Sequence, residues 1–79
     1  MKVFGYQKDN EELIELREVS FQCDIEELEK VIKFLQETKK QHSKIIGEVE
    51  LCHSHFRDWD INWKDNGIDI IVVTTSKTR

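Results

Sequence analysis

The chain has 79 residues and a mass of 9.5 kDa, and 38% of its side chains are hydrophobic, so a single domain with a small core is all it can build. Its 12 basic and 16 acidic residues leave a net charge of −4, which argues against a protein that coats nucleic acid with a basic face. With no proline and three glycines it is neither collagen-like nor a low-complexity linker.

Ile70 to Val73 is the longest apolar run, far below the ~20 residues a bilayer-spanning helix needs. Met1 to Lys8 lacks the apolar stretch and cleavage site of a signal peptide. Cys23 and Cys52 are too few for a disulfide-stapled secreted scaffold. A cytoplasmic chain with reduced thiols is therefore expected, with neither nucleic acid nor membrane as partner. A Cys23–Cys52 bridge would require their strands to be neighbours.

In chain order, Lys2 to Lys8 is rich in aromatic and β-branched residues and predicts a first strand. The polar stretch Gln7 to Glu12 predicts the turn of a hairpin. Leu13 to Cys23 alternates like a second strand, but Ile14 and Leu16 have one parity while Val19, Phe21 and Cys23 have the other. That switch predicts a bulge near Arg17 and Glu18, or cover on both faces.

A helix is predicted over Ile25 to Gln41. Asp24 supplies the N-cap, and Glu27 completes a capping box. Ile25, Leu28, Val31, Ile32 and Leu35 recur at helical spacing as one buried stripe, which Phe34 widens. Glu26, Glu27 and Glu29 near the start and Lys39 and Lys40 near the end complement the helix dipole.

After Gly47, the segment Glu48 to Phe56 alternates as a strand. Val49, Leu51, His53 and His55 lie on one face, with Glu48, Glu50, Cys52 and Ser54 opposite. Arg57 to Gly67 is a connection that holds both tryptophans and ends in the turn signal Asp65-Asn66-Gly67. Ile68 to Thr75 is apolar on both parities and predicts an interior strand. The order β-β-α-β-β gives an α+β fold, a two-layer sandwich with one helix on a four-stranded, mainly antiparallel sheet. One helix covers one face of such a sheet. The other face must meet the aromatic loop, a second copy in a homodimer, or a different protein.

His53 and His55 stand two apart on a strand and face the same way, the arrangement that would let both reach one metal. Neither a CxxC nor an HExxH accompanies them, and a histidine half-buried at the end of the core is the simpler expectation. A thiol nucleophile at Cys23 or Cys52 would need a base or helix dipole to lower its pKa, and the carboxylate of Asp24 beside Cys23 opposes that. The acids Asp58, Asp60, Asp65 and Asp69 flank turns, where acids are common. No glycine-rich phosphate loop is present in the sequence, and neither a cofactor nor catalysis is expected. The basic run Lys39 to Lys44 suits a solvated helix end. Trp59 and Trp63 are either a lid on the core or anchors of an interface, where tryptophan and arginine are enriched.

Leu16-Arg17-Glu18-Val19, His53-Ser54-His55-Phe56-Arg57-Asp58-Trp59 and Asp69-Ile70-Ile71-Val72 resemble segments of a family of small bacterial immunity proteins of polymorphic toxin systems. The resemblance implies an intracellular protein without catalysis that neutralises a toxin by binding it. On either ground the expected partner is another protein, basic for preference because this chain is acidic. The expected contact residues are His53, His55, Arg57, Asp58, Trp59 and Trp63. The competing expectation is a metal-binding or metal-sensing protein built on His53 and His55.

Overall fold

The computed structural model describes residues 1–64 and 67–76, and the Asp65-Asn66 part of the expected turn lies outside them. Its elements run β1 (Val3–Gly5), β2 (Ile14–Leu16), α1 (Ile25–Ile45), β3 (Leu51–His55), α2 (Phe56–Trp59) and β4 (Ile71–Thr75). The α+β class is as the sequence predicts.

The four strands do not form one sheet. β1 pairs with β2, and β3 with β4, as two separate antiparallel ribbons. The expected four-stranded sandwich is therefore replaced by two separate hairpins, of which β3–β4 packs on the helix. The physical reason is the second strand: it pairs only over Ile14–Leu16, and the opposite-parity residues Val19, Phe21 and Cys23 stay exposed and unpaired. Three residues of ladder offer little edge on which to extend a sheet. The β1–β2 hairpin packs mainly on itself: Gly5 lies against Leu16, where a Cβ would come within 3.1 Å of the leucine side chain. The radius of gyration is 13.9 Å, above the roughly 12 Å of a compact domain this long, which fits a hairpin standing off the rest.

The helix begins as expected and ends later. Glu27 donates its backbone N–H to Asp24 Oδ1 at 2.7 Å, and Asp24 donates its own to Glu27 Oε1 at 2.9 Å, closing the capping box. The helix runs on past Gln41 to Ile45, so His42 to Ile45 are helical as well.

Its buried face differs from the expected stripe. Phe34, Thr38 and His42, spaced by four, are the buried residues of α1, whereas Ile25, Leu28, Ile32 and Leu35 are 40–72% exposed. The reason is the position of the β3–β4 ribbon, which meets the helix through its C-terminal half. There His42 reaches Ser54 and Thr74, so the parity of Cys52, Ser54, Val72 and Thr74 faces the helix. By alternation Leu51, His53, Ile71 and Val73 point to the other side, and for Leu51 and His53 this reverses the expectation that their face continues into the core. Among the described residues, Phe34 and Cys52 are the only buried hydrophobic side chains.

Candidate functional site

Two polar clusters hold the β3–β4 ribbon to the rest, one inside and one at the rim. The inner one centres on His42, 5% exposed. Its Nδ1 lies 2.8 Å from Thr74 Oγ1 and its Nε2 2.9 Å from Ser54 Oγ. Cys52 Sγ is 3.1 Å from the same threonine oxygen. Both ring nitrogens and both hydroxyls are thus satisfied, as a buried polar group requires.

A serine 2.9 Å from an imidazole has the spacing of a nucleophile and its base. The third position decides against that use. Nδ1 meets a neutral hydroxyl rather than a carboxylate, so nothing there would stabilise an imidazolium formed by proton transfer. The ring is also buried under its own helix. The cluster is a clamp between the C-terminal turns of α1 and the inner face of the ribbon. Sequence reasoning placed His42 in a solvated basic run and missed it. The available signal was its spacing from Phe34 and Thr38, which puts all three on one face.

The rim cluster forms where β3 runs into α2. His55 Nδ1 is 2.7 Å from Asp69 Oδ2, and the backbone N–H of Arg57 donates to Asp69 Oδ1 at 2.9 Å. The Arg57 guanidinium stands 3.9 Å from the same carboxylate. Burial by itself pushes the Asp69 carboxyl upward. The His55 hydrogen bond, the Arg57 amide and the charges of His55 and Arg57 together outweigh it, and hold the group below the ordinary aspartate range. His53 meets His55 edge to face at 5.5 Å. Among the described residues no group of three or more histidine, cysteine or acidic side chains is arranged to hold a metal ion. Cys23 and Cys52 are both free thiols, the first exposed and the second buried.

The aromatic segment is part helix, part loop. Phe56 and Trp59 stack at 5.8 Å in α2, and Phe34 meets them at 5.4 and 6.0 Å, so Trp59 lies against the buried phenylalanine. A Lys30–Asp60 contact at 3.8 Å ties the end of α2 to α1. Trp63 donates its indole N–H to the Ile68 carbonyl at 3.0 Å. Beneath it Gly67 fits a tight space: a Cβ there would come within 3.0 Å of the Lys64 carbonyl and 3.2 Å of the indole nitrogen.

Of the six contact residues expected from the sequence, His53, His55, Arg57 and Asp58 stand on the outer face of β3 and the first turn of α2. Arg57 and Asp58 are well exposed at 52% and 73% of their side chains. Trp59 and Trp63 are half-buried in the folding of the connection. Leu51, Ile71 and Val73 remain 51–54% exposed on the outer face of the ribbon, so the tryptophans do not seal it. The chain finds no match among family models, curated proteins or solved structures.

Proposed function

We propose that this is a small protein-binding module without catalysis, of the type that neutralises a toxin by occupying it. Its contact surface is the outer face of β3–β4 with the adjoining turn of α2. The observation that carries the proposal is the composition of that surface. Leu51, Ile71 and Val73 form a half-exposed apolar centre beside His53. His55, Asp69, Arg57 and Asp58 border it as a charged rim. An apolar centre inside a polar border is the usual anatomy of a protein interface. The net charge of −4 favours a basic partner through complementary potentials. Burial of His42 beneath its helix supports the non-catalytic part of the proposal.

The test is recovery of bound proteins from the native cell with three tagged forms. These are the natural chain, a Leu51→Lys/Val73→Lys variant on the proposed face, and a Gln36→Ala control on the helix. A basic protein held by the natural chain and the control, and lost from the double variant, is the expected outcome. The same proteins on all three forms would mean that this face is not the contact.

A further inference from the structure

The β3–β4 ribbon has an open edge along β4, and we propose that this edge takes an extended segment of the partner protein as a third strand, seated between β4 and helix α1. The proposal rests on the protein-binding reading above and says how the partner is held. The ladder fixes which backbone groups are free. Phe56 donates its N–H to the Ile70 carbonyl and Ser76 to the Glu50 carbonyl, just beyond the two ends of the pairing. Bonded and non-bonded residue pairs alternate along an antiparallel ladder, so Cys52 with Thr74 and Ser54 with Val72 exchange the bonds inside it. The N–H and C=O groups of Ile71, Val73 and Thr75 therefore point away from β3. Among the described residues no strand pairs with them there. Edge strands are usually guarded by a charge, a proline or a bulge. The β4 sequence Ile-Val-Val-Thr-Thr is uncharged and β-branched throughout, and its register is unbroken. The edge of β3 differs: it carries His53 and His55 and runs straight into α2.

A groove beside the β4 edge supplies the side-chain half of the site. Leu35, Thr38 and Lys39 of α1, with Ile46 just past it, face Val72 and Thr74 of β4 across a space of about 270 Å³. No β3 residue lines this space, so it opens on the side of β4 turned away from β3. A strand bonded to Ile71, Val73 and Thr75 would send alternate side chains toward α1 and into the groove. Its other side chains would lie on the outer face, beside the half-exposed Ile71 and Val73. Strand addition of this kind draws affinity from main-chain bonds and specificity from pockets for alternate side chains. The groove is smaller than the ~300–1,000 Å³ of a small-molecule site, and its aliphatic walls suit an aliphatic side chain. Lys39, exposed beside it, favours an acidic residue over a basic one next to that side chain. A second β4 paired antiparallel here would offer the groove only its own Val72 and Thr74, which are smaller than the space. A foreign segment with a longer aliphatic residue fits better.

The probe is a displayed library of short random peptides, selected on the natural chain. Selected sequences should carry an aliphatic residue with an acid close by, and synthetic copies should shift the NMR amide signals of Ile71, Val73 and Thr75. N-methylation scanned along the peptide should weaken binding roughly tenfold at alternate residues and little between them. That scan leaves the protein intact. Val73→Pro removes an edge donor without removing a ladder bond, and Leu35→Glu sets a carboxylate against the peptide's own; each should weaken binding by a similar factor. Three outcomes would overturn the proposal. One is that no peptide is selected, and another is binding indifferent to N-methylation at every position. The third is a natural chain that sediments at twice its 9.5 kDa and reverts to one chain in Val73→Pro, which would give the edge to a second copy. Leu51→Lys/Val73→Lys keeps every edge amide, so loss of the native partner from that variant would uphold the outer-face reading even where strand addition fails.

Discussion

Two faces of helix α1 are unequally furnished for burial by sequence, and the molecule buries the less apolar one. One presents Phe34, Thr38 and His42, two of them polar, and is buried to 5% exposure or less. The other presents Ile25, Leu28, Ile32 and Leu35, all aliphatic, and stays 40–72% exposed. Burial here follows what each face meets, not how apolar it is. The ribbon offers hydroxyls and a thiol on its inner face, so a helix face with a histidine and a threonine fits it. Among the described residues the aliphatic face is only partly covered, with Leu35 bordering Val72 and Thr74 across an open groove. A single deeply buried phenylalanine and a polar clamp then hold together most of what the 79 residues fold.

The comparison is broken most directly at Phe34. Phe34→Ala removes the ring on which Phe56 and Trp59 pack, and should cost ~3–5 kcal/mol, enough to abolish cooperative unfolding in so small a domain. Leu28→Ala on the other face should cost the monomer under about 1 kcal/mol. Chemical denaturation of both at low concentration checks the pair. Equal losses would mean that the two faces are equally packed.

Next in size is the clamp. His42→Ala takes one partner from Ser54 and from Thr74 together, and a half-satisfied buried network should cost ~1–3 kcal/mol. The separate loss expected from Ser54→Ala and from Thr74→Val should not add, because each acts through the same ring. A double-mutant cycle measures that coupling, and strict additivity would count against a single network.

A smaller effect is expected at the helix start. Asp24→Ala removes the acceptor for the Glu27 amide and should cost ~0.5–2 kcal/mol, visible as a lower denaturation midpoint. Glu27→Ala, which leaves the Asp24 acceptor in place, should cost less.

The parts read correctly from sequence are those set by neighbours in the chain. Asp24 and Glu27 fix the helix start through atoms three residues apart, and the apolar run of Ile68 to Thr75 marks a strand by itself, formed over Ile71–Thr75. What the sequence did not disclose depends on which elements meet. The extension to Ile45 follows from His42 being held by Ser54 and Thr74, 12 and 32 residues away. The core-facing parity of β3 was misassigned because Val49 and Leu51 are more apolar than Cys52 and Ser54, while the contact is polar. The four-stranded sheet failed because strand content does not specify strand pairing. At the rim, His55 and Arg57 stand out in the sequence, whereas their shared partner Asp69 reads as an ordinary turn acid. Only the pairing of β3 with β4 brings it to them.

The smallest effect concerns that carboxylate. Asp69 is held below the ordinary aspartate range, with burial working against the shift and His55 and Arg57 prevailing. A group whose pKa is lower folded than unfolded binds fewer protons in the native state. Its contribution is therefore complete above the unfolded aspartate's pKa and disappears as the pH falls through the lower, folded one. With its side chain 19% exposed and its partners at the rim, that contribution should be of the surface ion-pair order, ~0.2–1 kcal/mol at neutral pH. Asp69→Asn keeps the shape and an acceptor for the Arg57 amide while removing the charge. Its deficit against the natural chain should stay level from neutral pH down to the ordinary aspartate range and then close in stronger acid, where the carboxylate is protonated too. Urea midpoints taken at stepped pH trace this. A deficit that persists undiminished in strong acid would show that shape rather than charge at position 69 holds His55 and the start of α2.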